Sequence, residues 1–255
     1  MSISLFDRDL RYPRICAHRG FSAAMPENSM ASFGAAVALG ADEIELDVRL
    51  TRDEQLVSCH DGTLERVSNG RGQLSDHTLA ELKALDFSAG YASYQGIRIP
   101  MFEEVLKKLA GQVIMNLHMK IWEGDTPNAK MDEMVSLVRK YDCAQHVYFA
   151  SNSDRAAVLL REMAPEMRYC LIWNGKENAQ ELVSRAIACG AHKVQFDRNY
   201  VDASAIACAH EHGILCNLFY SDEAEDAKRF LQMGIDTVLT NELLIVQNAL
   251  MDLQR

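Results

Sequence analysis

Residues 43 to 49 read Glu-Ile-Glu-Leu-Asp-Val-Arg, with charged and apolar side chains in strict alternation. Successive side chains of a strand point to opposite faces, so Ile44, Leu46 and Val48 share one face and Glu45 and Asp47 the other. Two carboxylates held that close inside a protein repel each other and need positive charge nearby. A divalent cation would supply it, and so would basic side chains, for which Arg19, Arg49 and Lys120 are the candidates. The same alternation turns Asn116, His118 and Lys120 inward from a run in which Leu117 and Met119 face out. It also turns Gln195 and Asp197 inward beside Val194 and Phe196. His18 and Arg19 close one apolar run and His60 another. Acids, bases and fixed cations in one place suit acid–base chemistry on an anionic substrate.

Eight short apolar runs are positioned to carry these groups, near Arg14–His18, Glu43–Arg49, Val113–Met119, His146–Ala150, Arg168–Trp173, Lys193–Asp197, Ile214–Phe219 and Thr237–Thr240. Between them lie segments of helical period: Ser29–Leu39, Pro100–Ala110, Ala129–Tyr141, Asp154–Met163, Asn178–Cys189, Ala203–His212 and Glu223–Met233. Alternation of this kind marks βαβ units and a parallel sheet. With 255 residues it predicts an α/β fold, a single (β/α)₈ TIM barrel, whose active site lies at the C-terminal ends of the strands. Gly40, Gly190 and Gly213 follow helical segments, where left-handed caps are expected. Residues 51–99 break the rhythm with a strand-like run Gln55–His60, a loop rich in Asn, Gly and Ser, and a helix near Ala80–Leu85. They read as an insertion after the second strand of one domain spanning 1–255.

Hydrophobic residues make up 48% of the chain, enough for a sizeable core, and the formal net charge is -10. That charge argues against nucleic acid or an anionic membrane as a main partner. No stretch approaches the roughly 20 apolar residues of a membrane span. Residues 1–12 lack the apolar core of a secretory signal. The seven cysteines are odd in number, scattered and never paired as CxxC, as expected of buried, reduced thiols in a cytoplasmic protein. His77, His146, His192, His210 and His212 fall in loops, at strand starts or on a helix and are expected to be structural. Trp173 and Tyr220 lie where they could line a pocket.

An ordered set of motifs then becomes specific: His18-Arg19-Gly20, Pro26-Glu27-Asn28, Gly40-Ala41-Asp42, Glu45-Leu46-Asp47-Val48 and His60-Asp61. Leu64-Glu65-Arg66, Gly70-Arg71-Gly72 and the run Thr78 to Asp86 continue it, and a sparser likeness extends to Gly234-Ile235-Asp236 and Thr240-Asn241. In order and spacing this chain resembles the glycerophosphodiester phosphodiesterase family. The resemblance implies a (β/α)₈ barrel with a small insertion after strand two. It also implies a metal-dependent phosphodiesterase that releases an alcohol and a glycerol phosphate from a small-molecule phosphodiester.

By the same resemblance, His18 and His60 are the catalytic acid–base pair, Glu45 and Asp47 are metal ligands and Arg19 binds the substrate phosphate, with Lys120 adding positive charge. One divalent ion is expected, Mg²⁺, Ca²⁺ or Mn²⁺. At the third strand the family's glutamate ligand, two residues before its lysine, is replaced by His118, which is assigned to the metal site here. The family's usual tryptophan near the seventh strand is missing from Cys216–Tyr220, which bears on the substrate pocket. Two other readings are a lysophospholipase D or sphingomyelinase D-like lipid phosphodiesterase, and a phosphate-ligand binding protein with weakened turnover.

Overall fold

A computed structural model describes residues 12–120 and 130–253. Residues 1–11, most of the N-terminal stretch read for a signal, and Ala129, the first residue of one expected helix, lie outside them. In chain order the first elements are β1 (Arg14–Ala17), α1 (Met30–Ala38), β2 (Glu43–Leu50), β3 (Leu56–Ser58), α2 (Leu79–Ala84) and α3 (Phe102–Leu109). They are followed by β4 (Ile114–Met119), α4 (Lys130–Lys140), β5 (Val147–Ser151), α5 (Asp154–Met163), β6 (Arg168–Ile172) and α6 (Ala179–Cys189). The last are β7 (Lys193–Asp197), α7 (Ala203–Glu211), β8 (Leu215–Phe219), α8 (Ala224–Met233), β9 (Thr237–Thr240) and α9 (Leu243–Leu253).

Every strand except β3 runs parallel to its neighbours, and β1 pairs with both β9 and β2, so the sheet closes into an eight-stranded barrel with helices outside. Ile44, Leu46, Val48, Leu117, Met119, Val194 and Phe196 all pack in the layer between barrel and helices. Their alternate neighbours therefore fill the interior. At the bottom, Glu43 accepts from Tyr148 and pairs with Arg14 and Lys193. Burial alone would raise the Glu43 pKa, but Lys193 and Arg14 hold it below the ordinary value. One layer up lie Glu45 and its register partner Asn116, and above them Asp47 and its partner His118.

Local signals explain the helix ends. Ser29 caps α1 through Ser32 N–H, and Asn178 caps α6 through Glu181 N–H. On α3, buried Phe102, Val105, Leu106 and Leu109 form one apolar stripe. Gly40, Gly190 and Gly213 all take left-handed φ, as expected where a helix ends. The helix α9, which completes the eight outer helices among the described residues, is absent from the segments expected on sequence. Its apolar residues Leu244 and Ile245 are exposed beside buried Leu243 and Val246, which blurs the helical period.

Residues 51–101 depart from the barrel. The strand β3 folds back antiparallel on β2, pairing Val48 with Ser58 and Leu50 with Leu56. Val57, Leu64, Val67, Leu74, Leu82, Phe87 and Ile99 give this region a small core of its own. The hairpin brings the chain back to the barrel mouth, where His60 emerges. Among the described residues no helix is long and apolar enough to cross a membrane.

Candidate active site

A cavity of about 260 Å³ opens at the C-terminal ends of the strands. Its wall includes His18, Arg19, Glu45, His60, His118 and Lys120, with Asn116, Trp173, Gln195 and Asp197. Asp47 is fully buried just behind this wall.

The turn after β1 aims the first two of these residues. Arg19 is left-handed at φ 57°, which directs its backbone N–H to Glu45 Oε2 at 3.0 Å. Gly20 follows at φ 78°, and a Cβ there would lie 2.6 Å from the backbone of Ser32 on α1. Only glycine fits so tight an approach. His18 points its Nδ1 at Asn241 Oδ1, 2.8 Å away, and its Nε2 lies 3.9 Å from Glu45 Oε2. The Phe219 ring meets His18 edge-on at 5.2 Å and Tyr220 stacks on it at 6.2 Å.

Glu45, Asp47 and His118 converge, each offering one ligand atom within 4.8 Å of the others. The His118 Nδ1 lies 3.3 Å from Asp47 Oδ1 and 3.7 Å from Glu45 Oε1. Lys120 Nζ lies 3.5 Å from Asp47 Oδ1, and Arg19 Nε 3.7 Å from Asp47 Oδ2. Arg49 instead donates to the His60 carbonyl. Burial would raise the Asp47 pKa, yet contact with His118 and the charge of Lys120 hold it well below the ordinary value. Burial likewise opposes a charged His118, but Asp47 and Glu45 outweigh it and raise that pKa.

Asp47 Oδ1 is buried and faces the charges of His118 and Lys120 without a well-formed hydrogen bond to either, an arrangement that a closer cation would improve. Two carboxylates and an imidazole are a donor set that holds a divalent ion. The residues present fit such an ion.

His60 enters from the hairpin. Its Nδ1 lies 2.8 Å from Asp61 Oδ1, and Asp61 Oδ2 accepts from Arg66 Nε at 2.6 Å. Arg66 also donates twice to Glu27, which accepts from Arg19 as well. A chain of charge-assisted bonds therefore runs from His60 to Arg19. Burial lowers the His60 pKa, partly opposed by Asp47 and Asp61.

Residues 18–244 match the model of the glycerophosphoryl diester phosphodiesterase family. This chain belongs to that family. A glycerophosphodiester phosphodiesterase of Caldanaerobacter subterraneus subsp. tengcongensis is 30% identical over 231 residues, covering 89% of this chain and 93% of the relative. A putative glycerophosphodiester phosphodiesterase from Galdieria sulphuraria superposes with a TM-score of 0.84 at 24% identity, covering 95% of this chain and 99% of that one. An Oleispira antarctica phosphodiesterase solved with the product sn-glycerol-3-phosphate gives 0.82 at 24%, covering 94% and 97%. Membership makes this chain a phosphoric diester hydrolase.

All seven residues singled out in this glycerophosphodiester phosphodiesterase-like sequence lie in or against the one cavity. The five remaining histidines are absent from its wall; His210, for example, pairs with Asp236. Of the two aromatic candidates, Trp173 lines the cavity while Tyr220 backs His18. Asn28, Glu27, Asp61, Arg66 and Asn241 support the site without having been singled out. Each lies inside a family motif, which was the available signal; Asp222, which holds Asn241, had none. Six of the seven cysteines are buried.

Proposed function

We propose that this protein hydrolyses glycerophosphodiesters to an alcohol and a glycerol phosphate, with His18 and His60 as its acid–base pair and one divalent ion at Glu45, Asp47 and His118. The observation that carries the reading is the convergence of these five residues on one cavity that also holds Arg19 and Lys120. Family membership and the glycerol phosphate bound to the Oleispira antarctica neighbour support the same substrate class.

A phosphodiester resists hydrolysis because its negative charge repels nucleophiles and its alkoxide leaves poorly. Held by Glu45, Asp47 and His118, a divalent ion would neutralise phosphoryl charge and acidify a nucleophilic oxygen. Arg19 and Lys120 add fixed positive charge; Glu27 holds the Arg19 guanidinium by Nη1 and Asp47 lies beside Nε, which leaves Nη2 to face a phosphate oxygen. His18, whose Nε2 lies on the Glu45 side, takes the proton from the nucleophile. His60 gives a proton to the leaving oxygen, and Asp61 stabilises its charged form. The whole chain serves as one catalytic unit with residues 51–99 as an insertion that delivers His60. The buried thiols suit a reducing cytoplasm, and the partner is a small molecule rather than nucleic acid or a membrane.

The test is turnover of glycerophosphocholine, glycerophosphoethanolamine and lysophospholipids, followed by release of glycerol phosphate, before and after chelation. Activity on the glycerophosphodiesters should vanish on chelation and return with Mg²⁺, Mn²⁺ or Ca²⁺. Full activity with no metal detectable by elemental analysis would overturn the metal assignment; exclusive activity on lysophospholipids would overturn the substrate class.

A further inference from the structure

Three neighbouring strand ends meet behind His18: that of β1, which leads into His18, that of β9, which leads into Asn241, and that of β8, which leads into Asp222. We propose that Asp222 and Asn241 are positioning residues that dictate which nitrogen of His18 carries its proton. The inference rests on the reading of His18 as the base, but the state of its ring can be observed separately from turnover.

Asp222 Oδ1 accepts from the backbone N–H of Asn241 at 2.7 Å and from the Thr240 hydroxyl at 3.0 Å. Its Oδ2 accepts from Asn241 Nδ2 at 2.8 Å. An ionised carboxylate can only accept, so the amide nitrogen of Asn241 must face Asp222. The Asn241 Oδ1 is thereby turned toward His18 Nδ1, 2.8 Å away. A carboxamide oxygen also only accepts, which requires a proton on Nδ1.

In the neutral ring the one lone pair then sits on Nε2, the nitrogen on the Glu45 side. That is the state a general base needs. Ser22 does not reverse this logic: its hydroxyl is shared between the His18 carbonyl at 2.8 Å and Asn241 Oδ1 at 3.1 Å, and both are acceptors. Phe219 and Tyr220 pack against the ring and hold its plane. They offer Nδ1 no alternative partner in these contacts.

Reversing one carboxamide should reverse the ring. In Asp222→Asn the introduced carboxamide can still accept from the Asn241 N–H and Thr240, but its amide nitrogen then meets that of Asn241. Asn241 escapes the donor–donor clash by flipping, which presents its Nδ2 to His18 Nδ1 and moves the ring proton to Nε2. Combining Asp222→Asn with Asn241→Asp restores the original sense, because the carboxamide at 222 can donate to the carboxylate at 241. The other oxygen of that carboxylate accepts from His18 Nδ1–H.

The experiment reads ¹⁵N signals of the His18 ring in the Mg²⁺-loaded protein, under conditions where the ring is neutral, assigned by their loss in His18→Gln. Wild type should show a protonated Nδ1 and an unprotonated Nε2. Asp222→Asn should exchange the two and lower kcat by about a hundredfold, as loss of a general base does, with KM changed only a few-fold. The double variant should recover most of kcat and the wild-type ring signals.

A proton on Nε2 in wild type would overturn the proposal without reference to any variant. Loss of kcat in Asp222→Asn with Nδ1 still protonated, or a double variant with no recovery, would also overturn it. If wild type turns over none of the phosphodiesters tested, the proposed function fails while the ring signals still decide this inference.

Discussion

Asn28 holds Asp47 with both ends of its carboxamide: Nδ2 donates to Asp47 Oδ2 at 2.8 Å, while Oδ1 accepts from Asp47 N–H at 3.1 Å. The Ser58 hydroxyl, on the strand that leads to His60, donates to the same Oδ1 at 2.9 Å. One side chain thus ties the end of the first loop to β2 and β3. With Asp47 Oδ2 engaged in this way, Oδ1, which faces His118 and Lys120, is the oxygen turned toward an ion. Asn28→Ala is expected to weaken divalent-metal affinity by about tenfold or more, the usual loss when a ligand's support is removed. Metal titrations by calorimetry check this, and an unchanged affinity would show that Asp47 needs no such clamp.

The histidines differ in what their loss exposes. His18→Ala and His60→Ala are each expected to lower turnover of glycerophosphodiesters by about a hundredfold or more, with circular dichroism unchanged. An aryl phosphodiester, whose leaving group hardly needs a proton, should lose far less in His60→Ala than in His18→Ala. Equal losses on both substrates would reject the division of roles.

His118 supplies an imidazole where the family pattern has a carboxylate. Neutral nitrogen suits borderline transition ions, whereas Mg²⁺ and Ca²⁺ prefer anionic oxygen. His118→Glu is therefore expected to shift the activating ion toward Mg²⁺ or Ca²⁺, and His118→Ala to weaken all ions. Metal-dependent kinetics on the three proteins decide it; identical titrations would place His118 on the substrate instead.

The ion-pair chain from His60 to Arg19 should register in acid stability. Arg66 is the chief cause of an Asp61 pKa well below the ordinary carboxylate value, and with Arg19 it lowers Glu27 against the effect of burial. A depressed carboxyl contributes stability above its unfolded value and loses it as pH falls through the folded one. Wild type should therefore lose stability from about pH 5 downward. Arg66→Gln should be less stable at pH 6 by about 1 kcal/mol, the upper end for a partly exposed pair, and should lose less on acidification. Urea denaturation across this pH range measures both, and parallel profiles would show that Arg66 contributes nothing to the shift.

Much of the site was legible because strand side chains alternate. Ile44, Leu46 and Val48 are apolar, so Glu45 and Asp47 had to turn inward, and the same alternation turns His118, Lys120 and Gln195 to the cavity they line. Gly20 was legible as part of a motif, although its reason is tertiary: the close approach of Ser32. Alternation gives direction but not distance. It could not show that His118 Nδ1 comes within 3.7 Å of both Glu45 and Asp47, because that depends on the register of β2 on β4. Nor could it show that Asp61, Arg66 and Glu27 join His60 to Arg19, since the insertion must fold back first. α9 stayed hidden because its apolar residues surround the helix, and burial of only some of them is settled by packing. The proton on His18 belongs to the tertiary structure for the same reason. Asp222 and Asn241 lie more than 200 positions away in the chain, and only closure of the barrel brings β8, β9 and β1 side by side.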